Sequence, residues 1–343
     1  MRIVLAFSGG LRPLAAIPWL RATHRADVIA VIVDLGHGRA LEAVRDRALA
    51  AGAVRAHVVD AREAFARDFV LPSLRADAVP ADGLPRPLPL GRPAIGRALV
   101  DIARIERAVA VAHGAEPASA DAVRLESAVA ALDPGLTLLR PAADMARPAE
   151  GLREYLRAER VPLPPDPPAG TAAADINVWG RTLVPAARGE GEVGPPPPAA
   201  LAPQPPVEAA FVEVRFESGT PVALNGVAMP FVELVQTLGA IAGAHGVGRV
   251  DLEGLDLDAP AAVALHTAHR ALRAGWRDDL RAFHAAVSAA YARLIDEGRW
   301  FGPLRSGLDA FVAETQRELS GAIRLKLFQA RCEAIAASVP SSR

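Results

Sequence analysis

The sequence predicts an α/β protein: an N-terminal doubly wound parallel sheet followed by an α+β domain. Three observations carry this. Short β-branched runs alternate with helical patterns of about a dozen residues through the first half, as βαβ units do. A proline-rich stretch interrupts that rhythm between residues 163 and 209. Beyond it, apolar and polar residues alternate around Ser218-Gly219 and Asn225-Gly226, which marks antiparallel hairpins.

The elements follow in order. RIVLAF (2–7) and VIAVIV (28–33) read as buried strands, with a helix over PLAAIPWLRATH between them. Residues 40–51 read as a helix stopped by Gly52, and AHVVD (56–60) as the next strand. Residues 94–107 make an amphipathic helix, 108–114 a strand and LTLLRP (136–141) the last strand of this half. A helix over 147–161 forms its edge. PLPPDPPAGTAAAD (162–175) and VGPPPPAALAPQPP (193–206) exclude regular helix or central strand and read as linker and extended lid. INVWGRTLV (176–184) sits between them as a short island with an aromatic anchor. In the second half, hairpins over 210–229 precede a helix over 230–246 and a strand in GRVDLEG. Helices over 259–274, 277–297 and 304–319 come next. RLKLF (324–328) is the closing strand, with residues 332–337 as its partner.

Composition excludes several classes. The chain has 343 residues, 51% of them hydrophobic, and a formal net charge of −1. That balance gives no electrostatic case for nucleic acid or an anionic membrane. Lys326 is the single lysine; arginine supplies the other basic side chains. The lone Cys332 excludes an internal disulfide or a cysteine metal cluster and reads as a small apolar residue near a strand. The N-terminus lacks a signal pattern and its apolar run is too short to span a bilayer, so a cytoplasmic location is expected. His266 and His269, at i and i+3, lack a placed third ligand and read as a solvated helix face. No metal site is expected.

The candidate chemistry starts at SGGL (8–11), a turn between a buried strand and a helix. Glycines there let the backbone approach a phosphate, and the helix N-terminus favours negative charge. Arg12, Pro13 and Leu14 follow. Pro13 brings no N–H donor, and is comfortable at the first helical position. Arg12 either meets a phosphate as a new cation or sits in solvent.

The ordered set AFSGGL, VIAVIVDLGHG, GRPAIGRALVDIAR, AVAHG, VRLESAVAALDPGL, NVWGRT, GTPVALNGV, ELVQTLGAIAGAHGVGRVD, WFGPLRSGLDAFV and ETQRELSGAIRLKLF resembles the argininosuccinate synthase family, of the N-type ATP pyrophosphatase group. The likeness covers nearly the whole chain. It implies a HUP-like nucleotide-binding domain over 1–162, a proline-rich linker or lid over 163–209 and a synthetase domain over 210–343. It implies ATP with Mg, activation of citrulline as an adenylate, and displacement of AMP by the aspartate amine. It also implies amino-acid substrates, and self-association or mixed assembly with a true synthase. The family's C-terminal arm after RLKLF is expected to be largely missing.

Carried over position by position, the resemblance implies nucleotide contacts at Ala6, Ser8, Gly9, Gly10, Arg12 and Gly114. Where the family has Ser-Gly-Gly-Leu-Asp-Thr-Ser, the last three residues are Arg12, Pro13 and Leu14. The citrulline clamp loses its tyrosine, threonine and serine to Leu84, Leu88 and Pro89, and a buried site so altered cannot satisfy a zwitterion. In the aspartate loop Asp121, Arg124 and Glu126 match. Arg124 either takes a carboxylate in bidentate fashion or pairs with Asp121 along a helix. Thr182 keeps a hydroxyl where the family has serine. Leu257 and Asp258 stand at its tyrosine and glutamate positions. Scaffold motifs persist while three ligand clusters lose residues. Three readings follow: a conventional synthase, an ATP-dependent ligase with diverged substrates, and a catalytically inactive paralogue that binds or regulates.

Overall fold

A computed structural model describes residues 1–36, 41–163, 173–184, 205–252 and 255–338. The chain divides into two compact units. The first comprises Met1–Ala61, Gly91–Asp166 and Asp296–Gly302; the second comprises Arg62–Leu90, Pro167–Ile295 and Pro303–Arg343.

The first unit is built on strands β1 (Arg2–Ala6), β2 (Asp27–Asp34), β3 (Arg55–Asp60), β4 (Ala110–His113) and β5 (Thr137–Leu139). All pair in parallel, in the order β3-β2-β1-β4-β5. Ile3 and Leu5 pack into one cluster with helix α1 (Leu11–His24), while Val4, Ile29, Val31 and Val111 are just as buried. Successive side chains point to opposite faces, so both faces are covered. That accounts for strands that read as continuous apolar runs. Burial of each such side chain is worth roughly 1.5–3 kcal/mol. Helix α2 (Leu41–Ala50) follows β2, and helix α3 (Pro87–Glu106) precedes β4. Helix α4 (Ala120–Leu132) packs so closely on α3 that a Cβ at Gly96 would come within 2.7 Å of the Ala128 methyl. Helix α5 (Ala149–Ala158) closes this part of the chain.

The second unit holds two antiparallel sheets. One has the order β10-β9-β8-β13-β14, from β8 (Ala210–Glu217), β9 (Thr220–Leu224), β10 (Val227–Ala228), β13 (Gly321–Phe328) and β14 (Arg331–Ser338). The other runs β11-β12-β7-β6, from β6 (Ala173–Asn177), β7 (Gly180–Val184), β11 (Arg249–Leu252) and β12 (Leu255–Asp258). Its helices are α6 (Phe231–Ala244), α7 (Pro260–Leu272), α8 (Asp278–Asp296) and α9 (Pro303–Gln316).

Several features depart from the sequence reading. The compact units do not follow the linear division at residues 162 and 210. Residues 62–90 join the second unit and 296–302 the first. The island expected inside the linker is the β6–β7 hairpin, while 164–172 and 185–204 lie outside the described residues. Helix α3 begins at Pro87, not residue 94. Pro87 and Pro89 lie in its first turn, where an N–H has no intrahelical partner. Residues 62–75, to which the sequence reading gave no element, are helical, with a π turn over Ala66–Val70. His266 and His269 are buried, not solvated, at 3% and 0% exposure. His269 Nε2 lies 2.7 Å from Gln316 Oε1.

Candidate functional site

In the first unit the chain turns one way after β1 and the other way after β4, so the crevice between those strands is the topological switch point. Ala6 ends β1 and Phe7 donates its N–H to the Val31 carbonyl at 2.9 Å. Ser8 is exposed and Gly9 turns the chain with φ +80. A Cβ on Gly9 would lie 3.1 Å from Val44 and 3.3 Å from Arg47 of α2, so both backbone and space require glycine. Gly10 caps α1, whose first internal bond runs from the Leu14 N–H to the Gly10 carbonyl at 3.1 Å. Leu11 and Arg12 therefore carry first-turn N–H groups without an intrahelical acceptor.

Pro13 is the third helical residue, not the first as the sequence suggested, and is still within the turn that tolerates proline. It is buried, and its ring lies against Gly114: a Cβ there would come within 2.9 Å of Pro13. Arg12 stands partly in solvent, one of the two places open to it in the sequence reading, and there it also meets a carboxylate. Its Nη2 lies 3.0 Å from Glu116 Oε1.

Asp121 and Arg124 sit on α4, started by Ser119, whose hydroxyl accepts the Ala122 N–H at 3.2 Å. Arg124 Nη1 is 3.2 Å from Asp121 Oδ1, and Arg92 Nη2 of α3 is 2.8 Å from the other oxygen. Burial pushes the Asp121 carboxyl up, but Arg92 and Arg124 together outweigh it and hold it below the usual range. The Arg124 Nε donates to the Asp296 carbonyl at 2.9 Å. So Arg124 is occupied in a helix ion pair and a backbone bond.

Sequence reasoning missed a neighbouring hub. Glu126 accepts from Arg140 Nε and Nη2, both at 2.6 Å, and meets His113 Nε2 at 3.0 Å. Arg140 holds the Glu126 carboxyl low, and burial lowers His113. The Ala115 N–H points at His113 Nδ1 at 3.3 Å, which leaves Nε2 to carry the proton toward Glu126. Above this hub lies a small depression of about 180 Å³ walled by Ala115, Pro117, Ala122, Val123 and Ala143. The signal available was a histidine closing a parallel strand.

Thr182 and Asp258 belong to the second unit, on neighbouring strands where Leu257 pairs with Thr182 and Asp258 with Arg181. Thr182 and Leu257 are buried, at 2% and 4% exposure. Arg181 Nε lies 2.7 Å from Asp258 Oδ2, and Arg249 Nε 3.7 Å from Oδ1. A depression of about 210 Å³ opens beside this pair, lined by Trp179, Val235, Gly239 and Ala261 among others. Asn177 fixes the hairpin, accepting from the Trp179 N–H at 2.9 Å and donating to the Pro87 carbonyl at 2.8 Å.

Glycine turn, Ser8 and Arg12 fit a phosphate group in residue type. Among the described residues no three His, Cys, Asp or Glu side chains are grouped to hold a metal ion. None of the described helices is long and apolar enough to cross a membrane.

Residues 2–162 match the family described as the arginosuccinate synthase N-terminal HUP domain, and residues 173–342 match the arginosuccinate synthase C-terminal domain. The chain is 39% identical over 355 residues to the argininosuccinate synthase of Rubrobacter xylanophilus, covering 99% of this chain and 86% of that one. It is 38% identical to that of Brevibacillus brevis, covering 99% and 84%. Among solved structures, an NAD+ synthetase from Burkholderia pseudomallei aligns at 22% identity over 48% of this chain and 67% of that one, with a TM-score of 0.30.

Proposed function

This chain belongs to the argininosuccinate synthase family, and from that premise we propose that it is an ATP-dependent carbon–nitrogen ligase whose amino-acid substrates have diverged. The observation that carries the nucleotide half is the Gly9–Gly10 turn, with Gly9 at φ +80 and crowded by α2, at the switch point of the parallel sheet. Ala6 and Gly114 flank that turn, and Ser8, Gly10 and Arg12 offer it a hydroxyl, a backbone close approach and a cation. Magnesium would arrive with the nucleotide and neutralise phosphate charge.

In the proposed reaction a substrate oxygen attacks the α-phosphorus and pyrophosphate leaves. An amine then attacks the activated carbon and AMP leaves. Divergence is supported by the acceptor side. Leu84, Leu88 and Pro89 replace hydroxyl groups, Leu257 lies buried against Thr182, and Asp258 is already paired with Arg181. A less polar acceptor than citrulline suits such surroundings.

A second reading, a catalytically inactive paralogue, is favoured by two contacts: Pro13 packed on Gly114, and Arg12 engaged by Glu116. Calorimetry with ATP–Mg, with Gly10→Asp as control, separates the two. Micromolar binding lost in the variant supports the ligase. Pyrophosphate release is then screened with citrulline, aspartate and less polar acids. No binding at millimolar ATP supports the paralogue. Self-association, and mixed assembly with a true synthase, are proposals that mass measurement in solution tests.

A further inference from the structure

The loops after β1 and β4 flank the switch-point crevice, and two contacts join them. Deep in it, the Pro13 ring lies on Gly114. At the mouth, Arg12 Nη2 meets Glu116 Oε1 at 3.0 Å. Arg12 is 47% and Glu116 64% exposed, so the pair contributes little to folding. Its position is informative instead. Arg12 is the cation nearest the phosphate turn in sequence, two residues beyond Gly10. Pro13 restricts the backbone that carries it. The carboxylate that meets it comes from the opposite wall of the crevice.

We propose that Arg12 is the residue through which this chain selects a polyphosphate, and that Glu116 is its resident competitor. The inference rests on the nucleotide reading above. Glu116 holds the place of an anion on Arg12. A single phosphate group that displaces it can engage Arg12 or the turn but not both, and gains little. A triphosphate brings several charges to Arg12 and to the turn at once, and so displaces the carboxylate. The crevice thereby discriminates by number of phosphate groups, and opens its mouth only when the exchange succeeds.

The test is calorimetry with ATP–Mg, inorganic tripolyphosphate and AMP on the native protein, Glu116→Gln, Arg12→Gln and the double variant. Removing the competitor is expected to tighten ATP and tripolyphosphate about five-fold, and AMP by less than about two-fold. Arg12→Gln is expected to weaken both polyphosphates and to erase the gain from Glu116→Gln. The gain is also expected to shrink as salt is raised. Equal polyphosphate affinities in the native protein and Glu116→Gln overturn the inference alone, as does a gain that survives in the double variant. Absence of binding in both the native protein and Glu116→Gln overturns it together with the nucleotide reading. Both positions are on the surface, and unchanged thermal unfolding of the two single variants checks that the fold is intact.

Discussion

His266 Nδ1 lies 2.9 Å from Asp77 Oδ1, joining positions 189 residues apart within the second unit. Arg270 Nε and Arg273 Nη2 approach the other oxygen at 2.8 and 2.7 Å. Asp77 has left-handed backbone, φ 50, and its side chain is 13% exposed. Burial pushes its carboxyl up, but His266 and the two arginines outweigh that and hold it far below the usual range. The charge therefore ties residues 62–90 to α7.

Asp77→Asn keeps the shape and tolerates the left-handed conformation while removing the charge. It is expected to destabilise the protein by about 3 kcal/mol, because Arg273 is left buried without its counter-ion. Urea unfolding measures this. A loss below about 0.5 kcal/mol would show that the pairing is not what holds the segment.

Two neighbouring histidines make stability depend on pH. Burial, reinforced by Arg273, lowers His269 to about 3 and His284 to about 4. In the unfolded chain histidine titrates near 6.5. Between about pH 6.5 and 4 the unfolded state binds more protons, so stability is full above that window and falls as pH drops through it. The expected loss is on the order of a few kcal/mol by pH 4. Urea midpoints at pH 7.5, 6 and 5 follow it, and His284→Gln is expected to flatten the slope.

Gly9→Ala is expected to destabilise by roughly 1–2 kcal/mol and to abolish nucleotide binding, since left-handed strain is joined by crowding from Val44 and Arg47. Gly83 has a similar φ of +77 but nothing within 4 Å of a Cβ. Gly83→Ala carries the strain alone, so it is expected to cost less and to leave binding intact. Equal costs for the two would count against crowding at the turn.

Cys332 lies on β14, as its sequence context suggested, and burial pushes its thiol up to about 11. At pH 8 its alkylation is expected to be on the order of a hundred-fold slower than that of an unperturbed cysteine. The rate should climb with pH past 10. Rapid labelling at pH 8 would place the thiol in a more polar setting.

The parallel sheet was legible because β1, β2 and β4 are continuous apolar runs, and a strand buried on both faces leaves no other pattern. The turn at Ser8 to Gly10 was legible because two adjacent glycines between strand and helix have few other uses. The start of α3 was not, since PLPLGRP reads as a breaker until its prolines are placed in a first turn. Nor were the partners of His266 and His269. Helical spacing puts two histidines on one face, but only the packing of a segment 189 positions away decides that the face is buried. Glu116 was similarly opaque. Nothing local in AEPAS tells that it meets Arg12 across a crevice.

The path of the chain between the two units sets how this protein can be divided. Residues 62–90 and 296–302 each leave one unit for the other and return. A gene cut at residue 162 would take Asp77 away from α7 and would part Gly298 from Arg124, whose Cα a Cβ there would approach to 2.6 Å. Neither fragment carries everything its own unit is made from. A cut at residue 162 therefore yields two pieces, neither of which is one of the compact units.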